Sequence, residues 1–266
     1  MKKVIIFALI GVLALGLLAG CSSDKEDWDY IKGKGKLIIG ITLYEPMNYN
    51  DENGKLTGFD TEFAEAACAK LGIKPEFQVI DWEQKENELK SKSIDCIWNG
   101  LTVTEERREN MAFSTSYISN KQVVVIKKDN AEKYSTLEGM AGATVTAENG
   151  SAGQAAVEAN DVLSKNPFIA SAAQKDVLME IKAGTSEIGV LDYVMARSVI
   201  RDDTDYSDLM IVESIELAPE EYAIGFRLED KETLKKFNEV IDELLADGTL
   251  PALAEKYGLD DVLVTK

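Results

Sequence analysis

The chain has 266 residues and is strongly acidic, with 47 acidic against 29 basic residues and a net charge of -18 at pH 7. Such a surface repels phosphate groups, which argues against nucleic acid and anionic headgroups as partners. The sequence contains no histidine. Ser-His-Asp hydrolysis, HExxH proteolysis and histidine-rich metal sites are therefore excluded. We expect neither a bound metal nor a cofactor.

The first twenty residues have the layout of an export signal. Lys2 and Lys3 precede an uncharged run over residues 4–20, which ends in small residues. This layout predicts a signal peptide that is removed from the mature protein. The run is shorter than the roughly 20 apolar residues that a membrane-spanning helix needs, and polar residues follow it directly.

The signal ends in Leu18-Ala19-Gly20-Cys21, which resembles the lipobox of bacterial lipoproteins. In those proteins the cysteine becomes the acylated first residue of the mature chain, and several acyl chains together hold it on a bilayer. We therefore predict a signal peptide over residues 1–20, lipidation of Cys21 and a lipid-anchored tether over residues 21–36. An ordinary secretory signal with an incidental cysteine is the alternative.

After the tether, short apolar runs alternate with amphipathic stretches. The predicted strands cover residues 37–41, 77–80, 94–98, 123–126, 143–146, 188–191, 210–212 and 222–226. The clearest helix begins after Asp60, which is placed to cap it, and ends at Gly72; another covers residues 231–248. Residues 50–55 are typical of a hairpin turn. The alternation predicts an α/β protein with largely parallel sheets.

A cluster of polar residues follows the predicted strand at 94–98. The strand runs into Gly100, and Thr104 then opens a short helix that carries Arg107 and Arg108. Ligands of α/β proteins bind in crevices at the carboxyl ends of strands. The planar fork of an arginine holds a carboxylate there through two parallel hydrogen bonds. A solvated helix face is the alternative, because the neighbouring residues are also charged.

An ordered set of short motifs extends over nearly the whole chain. It comprises Gly40, Tyr44-Glu45-Pro46, Asn53-Gly54-Lys55-Leu56-Thr57-Gly58-Phe59-Asp60, Leu71-Gly72, Trp82, Ile94-Asp95, Thr102-Val103-Thr104-Glu105-Glu106-Arg107 and Phe113-Ser114-Thr115-Ser116-Tyr117 in the first half, and Leu137-Glu138-Gly139, Asn149-Gly150-Ser151, residues 178–184 and Ile188-Gly189-Val190-Leu191-Asp192 in the second. In this order and spacing, residues 37–257 resemble the polar amino-acid solute-binding proteins of ABC importers, family 3.

The resemblance implies a fold and a function. The fold would be a two-lobed, periplasmic-binding-protein-like (type II) clamp, in which each lobe is a mixed sheet flanked by helices and two strands form the hinge. Lobe 1 would take residues 37–121 and 218–266, and lobe 2 residues 122–217. The protein would not be an enzyme. It would be a monomer on the extracellular face of a bacterial, Gram-positive membrane that captures a free polar amino acid and delivers it to ABC permease subunits.

The resemblance also implies the contacts of the ligand's main-chain groups. Arg107 would bind the α-carboxylate, helped by backbone donors at Thr102 and Ser151. Asp192 would bind the α-ammonium, with the Gly100 carbonyl and the Thr102 hydroxyl completing its shell. The two charged residues would come from opposite lobes. A role of Asp192 as a helix N-cap is compatible with ligand binding.

The side chain of the ligand is less constrained. Tyr44 and Trp82 match positions where relatives place aromatic walls, although either residue could belong to the core. Glu45, Asn48 and Asn99 favour a polar substrate such as glutamine, cystine, histidine or a basic amino acid, and the sequence does not choose among them.

Several alternatives stay open at this stage. Arg108 is the rival of Arg107 as the carboxylate-binding residue. A dehydratase-like enzyme on the same fold and an amino-acid sensing module are the other function classes. Cys68 and Cys96 either pair outside the cell or remain buried free thiols.

Overall fold

A computed structural model describes residues 27–265 of the chain. Its helices are α1 Asp27–Lys34, α2 Phe59–Leu71, α3 Lys85–Lys90, α4 Glu105–Arg108, α5 Ala152–Ala159, α6 Gln174–Ala183, α7 Tyr193–Val199, α8 Lys231–Ala246 and α9 Thr249–Lys256. Its strands are β1 Lys36–Ile41, β2 Tyr49–Asn50, β3 Leu56–Thr57, β4 Lys74–Val79, β5 Cys96–Ile97, β6 Ala112–Phe113, β7 Ile118–Lys127, β8 Val145–Glu148, β9 Phe168–Ser171, β10 Ile188–Asp192, β11 Leu209–Tyr222 and β12 Gly225–Phe226. The predicted signal peptide and Cys21 lie outside the described residues.

Ten of these twelve strands form two five-stranded sheets, each at the centre of one lobe, and β2 pairs with β3. The first has the order β4-β1-β5-β12-β6, with β1 parallel to β4 and β5, and β12 antiparallel to β5 and β6. The second has the order β11-β7-β10-β8-β9, in which β8, β9 and β10 are parallel and β7 runs against β10 and β11. Both sheets are mixed and flanked by helices, so the predicted two-lobed α/β clamp is confirmed.

Two long strands connect the lobes. β7 and β11 pair antiparallel from Leu209 against Lys127 at one end to Tyr222 against Ile118 at the other. Beyond β11, the backbone N–H of Ala223 donates to the Leu101 carbonyl at 3.0 Å, which carries the chain into lobe 1. The predicted lobe boundaries, at 121/122 and 217/218, fall within these two strands. A paired ribbon of this kind is suited to act as a hinge.

The core of lobe 1 lies between its sheet and helices α2 and α8. The rings of Phe63 and Trp98 meet edge to face with centroids 4.7 Å apart, and Trp98 meets Phe237 in the same way at 5.9 Å. Phe237, Val240 and Leu244 line the buried face of α8 at helical spacing. The predicted helix at 231–248 is confirmed in this way, and its packing fixes the strand ends that face the other lobe.

The predicted tether is wrong at its C-terminal end. Residues 27–34 form α1, and Trp28 and Ile31 are buried in the core of lobe 1. The Asp27 carboxylate accepts hydrogen bonds from the backbone N–H groups of Glu232 and Thr233, at 3.1 and 2.8 Å, at the start of α8. Helix N-termini favour such acidic partners, since their first N–H groups lack helical acceptors.

Asp60 does not cap α2 as predicted. The helix begins two residues earlier, at Phe59, where the carbonyl of Pro46 accepts from the Phe59 N–H at 2.8 Å and that of Met47 from the Asp60 N–H at 2.9 Å. The buried Asp60 carboxylate instead accepts from the Gly100 N–H at 2.7 Å and from the Tyr117 hydroxyl at 3.0 Å. Burial raises the pKa of Asp60 to about 7. Its role is to hold the polar loop after β5.

The two remaining cysteines are buried free thiols rather than a disulfide. Burial raises the pKa of Cys68 to about 12 and raises the pKa of Cys96 as well. Residues 50–55 form the predicted hairpin turn, between β2 and β3. Among residues 27–265, no helix is both long and apolar enough to span a bilayer.

We expect the thiols of Cys68 and Cys96 to resist alkylation in the native state, because the thiolate is the nucleophile and burial suppresses it. A Cys21→Ser variant leaves these two as the protein's only thiols. Iodoacetamide labelling followed by mass spectrometry should show no adduct in buffer and two in denaturant. Rapid labelling in buffer would contradict the buried position.

Candidate functional site

A small polar cavity lies where the carboxyl ends of strands from both lobes face each other. Its free volume is only about 10 Å³, so the side chains from the two lobes lie close together around it. Its lining consists of Thr42, Tyr44, Trp82, Asn99, Gly100, Thr102 and Arg107 from lobe 1 and of Glu148, Ser151, Ala152, Gln174 and Asp192 from lobe 2. Eight of the ten predicted ligand-binding residues are therefore brought together.

Arg107 supplies a buried positive charge to this cavity. Thr104 caps α4 by accepting from the Arg107 N–H at 3.1 Å, which fixes the start of the helix. The guanidinium is 8% exposed and donates to the carbonyl of Thr102 at 2.8 Å and to that of Gly150, in lobe 2, at 3.3 Å. No carboxylate of residues 27–265 forms an ion pair with it. A buried cation without an anionic partner is a ready site for a carboxylate.

Arg108 points the other way. Its side chain is half exposed, forms an ion pair with Glu105 at 3.5 Å and lies over the Phe113 ring at 5.5 Å. Within α4, only Arg107 is buried. The geometry thus favours Arg107 over its neighbour as the residue that contacts a ligand.

Asp192 supplies the opposite charge from the end of β10. One of its oxygens accepts hydrogen bonds from the side-chain amides of Asn120 and Gln122, both at 2.7 Å, and the other accepts from Gln174. Its backbone occupies the N-cap position of α7, but its side chain makes no capping hydrogen bond. The carboxylate is 4% exposed and has no cationic partner among the described residues.

A second carboxylate lies beside Asp192. Glu220, on β11, accepts from the same two amides, at 2.5 Å from Asn120 and 3.0 Å from Gln122. Burial and the charge of Asp192 raise the pKa of Glu220 well above its usual range. Two carboxylates that share donors repel each other when both are ionised, so a cation near Asp192 would be stabilised.

Two aromatic rings form walls of the cavity. The Tyr44 hydroxyl is hydrogen-bonded to that of Tyr222 at 2.7 Å, which fixes the ring between the lobes. The ammonium of Lys85 lies 4.9 Å from the Trp82 ring centroid. It also donates to the Gly150 carbonyl at 2.9 Å, so that Lys85 and Arg107 both reach across from lobe 1 to the same atom of lobe 2. The two lobes are closed on each other.

This geometry can be compared with known proteins. A family model described as bacterial extracellular solute-binding proteins, family 3, matches residues 37–260. The chain belongs to this family.

Individual relatives are similar to this solute-binding protein over nearly their whole lengths. The L-cystine-binding protein TcyJ of Escherichia coli K12 is 28% identical over 264 residues, 96% of each chain. The probable amino-acid-binding protein YxeM of Bacillus subtilis is 31% identical over 272 residues, 99% of this chain and 98% of YxeM. A crystal structure of an ABC uptake transporter substrate-binding protein from Streptococcus pneumoniae with bound histidine has a TM-score of 0.84 and 32% identity, over 91% of this chain and 100% of that one. All three are named for binding or for uptake rather than for catalysis.

Two predicted site residues of the solute-binding protein do not line the cavity. Asn48 is fully buried behind it, where it donates to the Thr61 hydroxyl at 2.9 Å and accepts from the Asn99 amide at 2.7 Å. Glu45 is half-buried in the neighbouring turn, and burial raises its pKa. Asn99 does line the cavity, but its amide is also tied to the backbone of Thr42. These amides support the loop after β5.

Sequence reasoning missed four of the cavity residues: Thr42, Glu148, Ala152 and Gln174. Glu148 is the last residue of β8, and Asp192 is the last residue of β10. The two strands are parallel neighbours in one sheet, so both residues lie at the same edge. The rule that ligands bind at the carboxyl ends of strands applies equally to both carboxylates. That signal would have identified Glu148, whereas Gln174, at the start of α6, follows no comparable pattern.

We expect Asp192→Asn to weaken ligand binding by about 3 kcal/mol or more, because it removes the buried negative charge at the lobe 2 side of the cavity. The Asn NH2 group also takes the place of an oxygen that accepts a hydrogen bond from a side-chain amide, so two donors would face each other. Titration calorimetry measures the change in binding, and urea denaturation checks the stability of the variant. Unchanged affinity would contradict a role of Asp192 in the site.

Proposed function

We propose that the protein is the extracytoplasmic substrate-binding component of an amino-acid ABC importer, and that it captures a polar amino acid between its two lobes. The observation that carries this proposal is that one closed cavity contains two buried charges of opposite sign, neither of which has an ion-pair partner among residues 27–265. Arg107 comes from lobe 1 and Asp192 from lobe 2. A ligand that carries both a carboxylate and an ammonium would pair with both residues.

The energetics of a zwitterion explain why both charges are needed. Enclosing a free amino acid removes water from its carboxylate and its ammonium, which costs several kcal/mol for each charge unless fixed partners replace the water. In the proposed complex, Arg107, helped by Thr102 and by the N-terminus of α5 at Ser151, binds the carboxylate. Asp192, with Gly100 and Thr102, binds the ammonium.

Charges on opposite lobes also couple binding to closure. Neither lobe alone satisfies both ends of the ligand, so the ligand stabilises the closed form more than the open one. In the proposed transport cycle the permease reads that closed form. Acylation of Cys21 would keep the receptor at the membrane beside the permease. The relatives named for cystine binding and amino-acid binding support the substrate class.

The proposal is tested by identifying the ligand. Mass spectrometry of small molecules that copurify with the protein should reveal an amino acid. A thermal-shift screen of the twenty amino acids and cystine should show that a few polar ones raise Tm, because a ligand that binds only the native state stabilises it. The absence of any binder would refute the proposal.

One observation keeps a second function in view. Glu148 is a buried carboxyl in the cavity, and burial together with Asp192 raises its pKa to about 8. Such a group is suited to general acid catalysis near neutral pH. Incubating the identified ligand with the protein distinguishes the two functions, because a receptor returns it unchanged whereas a dehydratase-like enzyme releases a product.

A further inference from the structure

Glu148 is the cavity residue whose bonding is incomplete. It ends β8, is 3% exposed and lines the cavity together with Arg107 and Asp192. Its Oε1 atom is buried without a hydrogen-bond partner in the described part of the chain. A buried carboxyl oxygen that lacks a partner is costly to the fold. Its presence in a ligand cavity indicates that the partner arrives with the ligand.

The nearby charges of the protein do not fill this role. Two cations face Glu148, but Lys85 donates to the carbonyls of Trp82 and Gly150 at 3.1 and 2.9 Å, and Arg107 donates to those of Thr102 and Gly150. The other charges that act on Glu148 are the carboxylates of Asp192 and Asp176. Both carboxylates disfavour the ionised form of Glu148, so a cation bound nearby would stabilise that form.

The main-chain groups of the ligand do not supply the missing partner of Glu148 either. Under the proposed function, they occupy Arg107 and Asp192. Glu148 is the remaining charged side chain of the cavity lining. The rings of Tyr44 and Trp82 line the same cavity, and aromatic walls favour a methylene stem or a cation.

We propose that Glu148 binds the cationic end of the ligand's side chain, so that the protein selects a basic amino acid over a neutral one of the same shape. This inference rests on the proposed function and narrows it to a substrate class. Binding would convert Glu148 to its ionised form and pair it with a guanidinium or an ammonium. A neutral side chain would leave the carboxyl without a counter-charge.

The first test compares L-arginine with L-citrulline, which has the same length and shape but a neutral urea group. Titration calorimetry on the full mature chain should show that arginine binds roughly 30-fold more tightly or better, the usual consequence of a desolvated charge pair. In Glu148→Gln this preference should disappear while citrulline binding is retained. Glu213→Gln, an exposed position of lobe 2, controls for the change in net charge and should leave the preference intact.

The second test uses pH. The pKa of Glu148 in the empty cavity is about 8, raised by burial and by Asp192. A bound cation favours the carboxylate and lowers this pKa, so arginine binding releases a proton below pH 8. Affinity should therefore rise roughly tenfold or more from pH 6 to pH 8 and then level off. The same pH series with citrulline is the control for Lys85, Arg107, Asp192 and Asp176, the other charged groups around Glu148. The cavity encloses them with either ligand, so the difference between the two series reports on Glu148.

The outcomes separate this inference from the proposed function. Arginine binding that is selective and pH-dependent, with a selectivity that Glu148→Gln abolishes, supports both the inference and the proposed function. Binding of citrulline or glutamine as tightly as arginine, with no effect of Glu148→Gln on the ratio, overturns the inference and leaves the receptor function standing. If neither the twenty amino acids nor cystine bind, the proposed function itself fails.

Discussion

We expect Arg107→Ala to weaken binding of the amino-acid ligand by about 3 to 5 kcal/mol, the cost of removing one partner from a desolvated charge pair. In the proposed complex the buried guanidinium pairs with the ligand's carboxylate, and its hydrogen bonds to Thr102 and Gly150 already hold it in place. Its loss leaves a carboxylate enclosed without a counter-charge. Titration calorimetry with the ligand found by the thermal-shift screen measures this change.

Arg108→Ala is the matched control. That side chain is half exposed and paired with Glu105 on the surface, where ion pairs contribute between about 0 and 1 kcal/mol. The control variant should bind ligand like the unmodified protein. If Arg108→Ala proves damaging and Arg107→Ala does not, the motif has been placed one residue out of register. Far-UV circular dichroism of both variants checks that each is folded.

The second large effect concerns the backbone before α2. We expect Gly58→Ala to lower the free energy of unfolding by about 3 to 5 kcal/mol, through backbone strain and steric overlap together. Gly58 has φ 120° and ψ 167°, and an added Cβ would lie 2.3 Å from the Met47 carbonyl oxygen. The overlap has no easy relief, because the carbonyls of Pro46 and Met47 accept the first N–H groups of the helix.

A second glycine separates strain from overlap. Gly54, in the turn between β2 and β3, has φ 77° and nothing within 4 Å of an added Cβ. Gly54→Ala should cost only about 1 to 2 kcal/mol, the penalty for a left-handed residue alone. Urea denaturation of both variants measures the difference. Equal losses would show that the Met47 carbonyl moves aside at little cost.

The fold could be predicted to a large extent because central strands such as β8 and β10 are buried on both faces. Continuous apolar runs such as residues 188–191 distinguish such strands from amphipathic helices. Helix α1 escaped prediction because half of its eight residues are charged and only Trp28 and Ile31 are buried, so no apolar stripe is visible. Its stability comes from packing on α8 and from Asp27, partners that are more than 200 residues away.

The site was predictable where a residue lies in one of the ordered family motifs. Arg107 and Asp192 end two such motifs, residues 102–107 and 188–192, and the resemblance assigned both to the site; both line the cavity. Glu45 and Asn48 were included because polar side chains there would favour a polar substrate, yet neither lines the cavity. The pairing of Asp192 with Glu220 depends on the register of β7 and β11, which is interrupted between Ile211 and Glu216 and is not encoded locally.

Under the proposed acylation of Cys21, the position of α1 would limit the distance between this solute-binding protein and the lipid surface. Because α1 begins at Asp27, at most six residues, 21–26, would separate an acylated Cys21 from lobe 1. A fully extended segment of that length spans only about 20 Å. Such a short tether would hold the protein close to the proposed permease and raise its local concentration there, so that even a weak docking contact would be occupied much of the time.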